Sequence, residues 1–362
     1  MTSVPLLGGF MATADAEFVA SLPVNLEPVV FDTPNGIAEG QFKAGAGTTA
    51  LATGPGIDRG GIVYNNAHIR VMGTKLVQVS PSGVITELGD VGGSGPVTMD
   101  YGFDRLAIRS STSLYYWNGA SLVQVTDPDL GPVLDMIWTD GYFMTTDGTY
   151  IVVTELNDPT AIEPLKYGSA EEDPDMITGL VKFREEIYAL GRHTVQVFQN
   201  VGGSDFPFAP DLGATIPYGC VSASAKCLFA ESFAFVGSAR NEALGVYVAG
   251  AGTAIKISDK AVDDKLAAES NATAIVCEAR TYGDEMRLFV HLENETLVFF
   301  KKASDAAGRK IWTIAKSGGA YRLRNAVMCD GNFIVGDYSA RYRRLIALRA
   351  VGRMAVRHGA GL

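Results

Sequence analysis

Short runs of four to seven residues, rich in Val, Ile, Tyr, Phe and Thr, recur from about residue 54 to near residue 340. Each run is followed by a turn made of Gly, Asn, Asp or Ser. Runs of this length and alternation predict antiparallel β-strands. Asn-Gly at 118–119 and Asp-Gly at 140–141 and 147–148 stand between such runs, and these dipeptides strongly favour two-residue hairpins.

The strands group into units of roughly forty residues, the spacing typical of propeller blades with about four strands each. The seven units begin near residues 61, 97, 134, 177, 220, 274 and 325. One such sheet cannot bury both of its faces alone, so stacking the sheets around an axis completes the core. We therefore predict an all-β fold, a β-propeller of about six to seven blades with an extended N-terminal arm. A β-sandwich, or several small β domains, is the competing interpretation.

The ends of the chain do not follow this pattern. Residues 1–50 are rich in Gly and Ala and are predicted to be an extended arm, because each proline in Leu-Pro-Val-Asn-Leu-Glu-Pro (22–28) disfavours the helical conformation of the residue before it. Residues 51–340 are assigned to the propeller, with one short helix expected over 258–268. Residues 341–362 form a basic tail, which is either a helix docked on an acidic neighbour or an incomplete last blade.

A glycine-rich stretch at 89–102, Gly-Asp-Val-Gly-Gly-Ser-Gly-Pro-Val-Thr-Met-Asp-Tyr-Gly, lies between the first two units. An alternating run enters it and another leaves it, which predicts the connection between two small antiparallel sheets.

The charge distribution argues against sequence-independent DNA binding. The chain of 362 residues carries a net charge of −10, and the part before residue 341 carries −16, because the tail holds six arginines and no Asp or Glu. Such binding needs Lys and Arg against phosphates. An acidic body suits a passage through which DNA moves without sticking.

Targeting signals are not evident. No apolar run approaches the eighteen or so residues that span a membrane, and the first residues lack the basic region of a secretory signal. We expect a soluble protein made in a cytoplasm, with no membrane partner.

No catalytic, cofactor-binding or metal-binding residue is predicted, and the chain is not expected to be an enzyme. No Gly-x-Ser-x-Gly motif is present, and the four histidines are far apart in sequence: His68, His193, His291 and His358. The four cysteines form no Cys-x-x-Cys pair and are interpreted as buried thiols: Cys220, Cys227, Cys277 and Cys329. The glycine-rich segments 92–95 and 250–253 lack the Lys-Ser/Thr of a phosphate loop and are interpreted as turns without a function.

Two further features have a functional and a structural interpretation. The acidic cluster Glu171, Glu172, Asp173 and Asp175 could bind a cation, but a solvated loop is favoured because the alternating ligands and turn glycine of a calcium loop are missing. The aromatic run Tyr115, Tyr116 and Trp117 could stack on a sugar, but core packing is favoured because alternate residues of a strand point inward.

Several landmarks, taken in series, resemble the packaged-DNA stabilisation proteins of short-tailed, lambdoid-type phages, which are tail-hub or head-completion factors. The matching segments are Leu-Pro-Val-Asn (22–25), Arg-Gly-Gly-Ile-Val-Tyr-Asn (59–65), Arg-Val-Met-Gly-Thr-Lys-Leu (70–76), Gly-Asp-Val-Gly-Gly-Ser-Gly-Pro-Val-Thr-Met (89–99), Asp-Gly-Thr (147–149), Thr-Glu-Leu-Asn-Asp-Pro (154–159) and Val-Gln-Val-Phe (195–198). The resemblance covers about residues 20–338, and the Gly-Asp-Val-Gly-Gly-Ser-Gly block is its most specific part. At the C-terminus, family members look longer and continue with another β region.

The resemblance implies a non-enzymatic propeller that assembles into a ring of about six copies beneath the portal and its adaptor ring. There it would close the tail channel after DNA packaging, together with a tail needle, and help to seat the tailspikes. It implies a virion protein that assembles in the host cytoplasm, without cofactors or sequence-specific nucleic-acid binding.

Two other function classes remain open from the residues alone. A propeller hydrolase or lactonase would need carboxylates and histidines that converge at the central channel. A lectin-like or cellular scaffold propeller would bind glycans or peptides.

Overall fold

Seven antiparallel sheets, arranged as the blades of a β-propeller, account for most of the chain. The computed structural model describes residues 11–12, 18–19, 22–35, 38–45, 48–102, 104–170, 175–318, 321–329, 331–337 and 344–348. Six of the sheets consist of consecutive strands, and the seventh joins three late strands to one early strand. The predicted all-β propeller of about six to seven blades is therefore confirmed.

Each blade begins with its innermost strand, and the later strands lie further from the axis. Blade 1 contains Asp58–Tyr64, Ala67–Met72, Lys75–Val79 and Ile85–Asp90. Blade 2 contains Thr98–Gly102, Arg105–Ser110, Ser113–Trp117 and Leu122–Gln124. Blade 3 contains Asp135–Thr139, Tyr142–Thr146, Tyr150–Glu155 and Asp158–Ser169. Blade 4 contains Ile177–Phe183, Glu186–Gly191, Val195–Asn200 and Phe208–Pro210.

The remaining blades have the same plan with local additions. Blade 5 contains Gly219–Cys220, Lys226–Phe229, Ser232–Ser238, Gly245–Gly250 and Thr253–Lys256. Blade 6 contains Val276–Tyr282, Glu285–His291, Thr296–Phe300 and Trp312–Ala315. Blade 7 contains Leu323–Cys329, Asn332–Asp337, Arg344–Leu348 and the early strand Thr48–Thr53.

The local sequence explains the tight hairpins. In blade 1, Asn65 and Asn66 connect the first two strands with φ values of 47° and 58°. Two consecutive positive φ angles give the turn whose twist matches antiparallel strands, and Asn tolerates them better than most residues. Asp140 and Gly141 have the same combination in blade 3, with φ values of 50° and 91°.

The ring closes where blade 7 meets blade 1. The first strand of blade 7 packs against the first strand of blade 1, as do the first strands of other neighbouring blades. The outermost strand of blade 7, Thr48–Thr53, pairs antiparallel with Arg344–Leu348. Because the two ends of the propeller share one sheet, backbone hydrogen bonds hold the ring closed.

A hairpin of Leu26–Asn35 and Ala38–Ala44 precedes the propeller and belongs to no blade. The residues before it run parallel to the outer strand of blade 6, where Asn25 N donates to Ile314 O at 2.7 Å and Ile314 N donates to Pro23 O at 2.8 Å. Arg287 of blade 6 donates to both carboxylate oxygens of Glu27, at 2.6 and 3.0 Å. We refer to this element, residues 22–45, as the docked hairpin.

Two α-helices occur in the described residues. The predicted helix over 258–268 is confirmed as α1, Lys260–Ala267, whose N-terminus is capped by the Asp259 side chain. A second helix, α2, Lys301–Ala307, was not predicted, so the expectation of a single helix is wrong. It is inserted between two strands of blade 6 and ends at Gly308, which has a φ of 63°. No helix in the described ranges is long and apolar enough to cross a membrane.

The apolar core lies between neighbouring blades. One cluster joins blades 1 and 2, another joins blades 2 and 3, and the largest spans blades 4 to 6. Tyr116 packs with blade 3, 5.3 Å from Phe143 between ring centroids, whereas its neighbours Tyr115 and Trp117 pack with blade 1. Each blade is therefore buried on both of its faces, as predicted for sheets that stack around an axis.

Candidate functional site

Arg59, in the first strand of blade 1, is the centre of a buried contact between two blades. Its Nε donates to Gly95 O at 2.6 Å, and its Nη1 donates to Gly73 O at 2.9 Å and Gly92 O at 2.7 Å. Its Nη2 donates to Ser110 Oγ of blade 2 at 2.7 Å. Burial lowers the pKa of this guanidinium. The glycine-rich loop thus encloses a buried cation and ties blade 1 to blade 2.

Gly93 explains why this loop needs glycine. Its φ is 68°, in the left-handed region, and a Cβ at this position would lie 2.4 Å from Ser111 Oγ. The prediction that residues 89–102 connect two sheets is correct, since blade 1 ends at Asp90 and blade 2 begins at Thr98. The interpretation of residues 92–95 as a structural turn agrees with this connection, and the carbonyl oxygens of Gly92 and Gly95 also hold Arg59 in place. Residues 250–253 form the expected hairpin turn in blade 5.

A second cluster lies where blade 7 meets blade 1. Arg70 and Asp58 form a two-pronged ion pair with both hydrogen bonds at 2.7 Å. Asn325 of blade 7 takes part through both its side chain and its backbone: its Nδ2 donates to Asp58 Oδ2 at 2.8 Å, and its carbonyl accepts from Arg70 Nη2 at 2.7 Å. We call these three residues the closure cluster. They join the first and last blades, and Asp58 and Arg70 are almost fully buried whereas Asn325 is half-buried.

A third cluster joins blades 6 and 7 around Glu278. Its carboxylate pairs with Arg280, and it accepts hydrogen bonds from the backbone N–H groups of Asn325 and Ala326 at 2.7 and 2.9 Å. Burial alone would raise the pKa of Glu278, but Arg280 and His291 lower it well below its usual range. Arg280 also lies 4.1 Å above the ring of Phe289, and its pKa is raised by Glu278 against the effect of burial. The carboxylate is therefore held in its charged form.

Asp135 links four blades. Its Oδ1 accepts from Thr98 Oγ1 of blade 2 at 2.8 Å. Its Oδ2 accepts from the Leu180 N–H of blade 4 at 2.8 Å and lies 2.8 Å from Lys226 Nζ of blade 5. Asp135 itself is in the first strand of blade 3 and is fully buried. A single carboxylate near the axis thus orients strands from blades 2 to 5.

These clusters have the chemistry of structural contacts. Each ionic side chain in them is bonded to backbone groups or to a buried counter-charge. Across the described ranges, no three His, Cys, Asp or Glu side chains come close enough to hold a metal ion.

The histidines that the structure describes lie in three different blades, whereas Cys220 and Cys227 lie close enough to Cys277 to raise its pKa further. His68 and His291 are buried in blades 1 and 6, His193 is half-buried in blade 4, and His358 lies outside the described residues. Cys220 and Cys277 are buried as predicted, whereas Cys227 and Cys329 are only partly buried, and none of the four takes part in a disulfide. Burial raises the pKa of Cys220 to about 11, which keeps it protonated.

The aromatic run and the acidic cluster, which each had a functional and a structural interpretation, have different outcomes. Tyr116 and Trp117 are 6% and 8% exposed, so core packing is confirmed for the aromatic run. Glu171, Glu172 and Asp173 lie outside the described residues, so the assignment of a solvated loop remains a prediction. Asp175, at the edge of that cluster, accepts hydrogen bonds from the backbone N–H groups of His193 and Thr194 and so shapes a turn in blade 4.

Sequence reasoning missed the clusters that join the blades. One signal was available: Arg70 and Asp135 each occur within an apolar strand, where a charged side chain is buried only if it is paired. The acceptors of Arg59 are mostly backbone carbonyls, which leave no mark in the sequence apart from the glycines.

Comparison with solved structures is consistent with the fold. The WD40 domain of Neurospora crassa Pan2 superposes with a TM-score of 0.51 at 8% identity, covering 85% of this chain and 96% of that one. BBS1N, from its complex with ARL6DN, superposes with a TM-score of 0.53 at 11% identity, covering 85% and 97%. At these identities the likeness concerns the propeller fold alone.

Comparison of sequences is more specific. The chain is 29% identical over 356 residues to "Tail hub protein gp10" of Salmonella phage P22, an alignment that covers 90% of this chain and 72% of the phage protein. A family model described as "Bacteriophage P22 Gp10, beta-propeller" matches residues 2–345. Because that match covers nearly the whole chain, the protein belongs to the phage-stabilisation family of which P22 Gp10 is the named member.

Proposed function

We propose that this protein is a structural phage tail protein, a hub or plug that closes the portal channel and stabilises packaged DNA in the head. The observation that carries the proposal is the family match over residues 2–345. The relative's name, tail hub protein, agrees with it. In this role the chain has no catalytic activity and uses no catalytic, cofactor-binding or metal-binding residue.

The proposed assembly is a homo-oligomeric ring, of about six copies, beneath the portal-adaptor ring. The tail needle and the tailspike are its other partners, and the protein is located in the virion after assembly in the host cytoplasm. Within each copy, residues 1–50 act as an arm, residues 51–340 as the propeller and residues 341–362 as a basic tail. The inclusion of Thr48–Thr53 and Arg344–Leu348 in blade 7 suggests that the arm and the tail also help to close the propeller.

The proposed mechanism is mechanical. A propeller whose blades are joined by buried polar contacts resists deformation, because opening it between blades 7 and 1 would break the hydrogen bonds that Asn325 makes with the Asp58–Arg70 pair. Separating blade 5 from blade 3 would leave the buried Asp135 carboxylate without Lys226. The net charge of −10 disfavours adhesion of DNA phosphates. DNA would then be retained by steric closure, without base-specific contacts and without a membrane.

Quantitative composition of purified particles tests this role. Isotope-labelled peptides of this protein and of the portal, added to purified phage, measure the number of copies per portal. The proposal predicts a constant whole-number ratio that stays with the tail when tails are separated from heads. Absence from the particle, or a ratio that varies from one preparation to the next, would contradict a hub role.

A further inference from the structure

A cavity of about 700 Å³ opens between the docked hairpin, blade 6 and the first two strands of blade 7. Its floor is apolar and includes Phe289, Phe300 and Phe333, and Met328 at its edge is 48% exposed. The volume is in the range of cavities that receive side chains or small ligands. We call this cavity the groove.

The charges around the groove are mainly positive. Four cations and one carboxylate line it, and these are Lys43, Arg287, Lys316, Arg322 and Glu27. Arg287 is paired with Glu27. Lys316 and Arg322 contact carboxylates on their own chain, yet their side chains remain 42% and 37% exposed, so a further carboxylate can approach them.

A second exposed apolar surface lies on the outer edge of blade 3, and acidic residues surround it. The edge strand Asp158–Ser169 is twelve residues long and presents Leu165 and Tyr167 at 73% and 48% exposure. Tyr150, 41% exposed, packs edge-on against Tyr167 with 4.9 Å between ring centroids. We call these three residues the blade-3 rim. Large apolar side chains exposed together on an edge strand mark an interaction surface, because unpartnered edges are normally protected by charge.

The surroundings of the blade-3 rim are mainly negative. A shallow depression beside it is lined by three carboxylates and one lysine, and these are Asp129, Asp147, Glu163 and Lys166. The lysine is already paired with Glu155, at 2.8 and 2.7 Å from its two oxygens. The rim therefore combines an apolar centre with a negative border, whereas the groove combines an apolar floor with a positive border.

We propose that the blade-3 rim of one copy inserts into the groove of a second copy of this chain. Leu165 and Tyr167 would fill the apolar floor, and Glu163 would face the cations at the groove's border. Because the two surfaces differ and lie on different blades, each copy can use both at once, and such a contact builds rings or open chains of copies. This inference rests on the proposed ring assembly and names the faces that form it.

Sedimentation velocity of the full chain tests the interface with a matched pair of variants. Leu165→Asp places a charge at the centre of the rim and is expected to weaken self-association at least about tenfold. Ile255→Asp is the control, because Ile255 is 70% exposed on the outer strand of blade 5 and lines neither the groove nor the depression beside the rim. Equal association of the Leu165→Asp chain and the wild type, or an equal loss in the control, would overturn the inference.

Disulfide trapping tests which surface receives the rim. Leu165→Cys and Met328→Cys are made in separate chains that also carry Cys329→Ser, and the two chains are co-expressed. A two-chain band on a non-reducing gel then reports a contact between copies, and the Ile255→Cys chain replaces the Leu165→Cys chain as the control. The inference predicts strong trapping for the Leu165–Met328 combination only.

The outcomes separate this interface from the proposed tail role. Self-association that survives Leu165→Asp and gives no trapping would refute the interface and leave a ring formed through other faces. A wild-type chain that stays monomeric up to about 100 μM would refute the interface and the self-assembly on which it rests.

Discussion

Asp58 and Arg70 form a fully buried, two-pronged ion pair at the point where the last blade meets the first, with both oxygen–nitrogen distances at 2.7 Å. The two residues lie on adjacent strands of blade 1, and the Arg70 guanidinium also donates to the Asn325 carbonyl of blade 7. Closure of the ring thus gives the pair additional hydrogen bonds with Asn325 of blade 7, which opening the ring would break.

Removing the carboxylate of this pair should destabilise the protein strongly. Asp58→Ala leaves the Arg70 charge buried without its counter-charge, and breaking a buried pair in this way costs about 3–5 kcal/mol. Urea denaturation followed by circular dichroism measures the change. The control is Asp104→Ala, which removes a surface pair with Arg105, and it should change the free energy of unfolding by less than about 1 kcal/mol. Similar losses in the two variants would show that closure does not depend on the buried pair.

Replacing Arg59 by lysine should loosen the glycine-rich loop. A lysine ammonium cannot reach four acceptors arranged around a planar guanidinium, so Arg59→Lys is expected to cost about 2–4 kcal/mol. Hydrogen exchange should become faster at the backbone amides of residues 92–95 and 97. The same substitution at Arg105, which pairs with Asp104 at the surface, should leave exchange in that loop unchanged. Unaltered protection of the loop in Arg59→Lys would contradict its role.

Replacing Asp135 by asparagine changes one carboxylate oxygen, which accepts hydrogen bonds, into an NH₂ group, which donates them. In Asp135→Asn, an amide would have to replace an oxygen that accepts from Thr98 or one that accepts from Leu180 and Lys226. The amide NH₂ group, which donates hydrogen bonds, would then face the donor groups of these residues. We expect a loss of about 2–4 kcal/mol in the free energy of unfolding. In a double-mutant cycle with Lys226→Met, a coupling of about 1 kcal/mol or more should appear in the unfolding free energies. Additive effects would show that the lysine and the carboxylate act independently.

Mild acid should destabilise the fold through two buried histidines. Burial lowers the pKa of His68 to about 3, aided by Arg70, and burial lowers the pKa of His291 to about 4. Because both values lie below the ordinary pKa of about 6.5, the unfolded chain binds these protons first, and stability falls as the pH drops from about 6.5 towards 4.

Substitution of His68 measures its share of that loss. His68→Gln removes the titrating group, and the fall in unfolding free energy between pH 6.5 and 4 should shrink by an amount on the order of 2 kcal/mol. Urea titrations at four pH values give this difference. An identical pH dependence in the variant and the wild type would mean that His68 is not kept neutral in the folded protein.

The docked hairpin should be releasable without unfolding the propeller. Arg287 donates two hydrogen bonds to the Glu27 carboxylate, and Glu27→Gln removes the negative charge that strengthens them. We expect faster hydrogen exchange at the amides of residues 26, 27, 29, 30 and 40–44 and a loss of only about 1 kcal/mol in global stability. Lys43→Gln is the control, since Lys43 is 3.8 Å from Glu27 and half-exposed. A global loss as large as that of Asp58→Ala would make the hairpin part of the cooperative core.

The sequence was sufficient for most strands but not for the closure of the ring. Alternating apolar residues such as those in His-Ile-Arg-Val-Met (68–72) identify a strand from neighbours alone. Strand Thr48–Thr53 has no such alternation, and its partner, Arg344–Leu348, lies almost three hundred residues away. Local pattern cannot reveal a pairing of that kind. Helix α2 was missed for a related reason, since seven residues carry too little periodicity to stand out between strands.

The same physical limit applies to the buried charges. Asp135 and Arg70 could be seen as charged residues inside strands, yet their partners come from blades distant in sequence. The proposed function came from the resemblance to a phage family and not from residue chemistry, because a mechanical role requires no catalytic motif.

Retention of DNA by particles that lack this protein measures whether it closes the channel. Phage with the gene deleted are grown in a non-permissive host, and nuclease-protected DNA per capsid is measured before and after purified protein is added. The account predicts that heads fill and then lose their DNA, and that adding the wild-type protein before leakage prevents the loss whereas the unstable Asp58→Ala variant does so poorly. Heads that keep their DNA in the absence of the protein would contradict it.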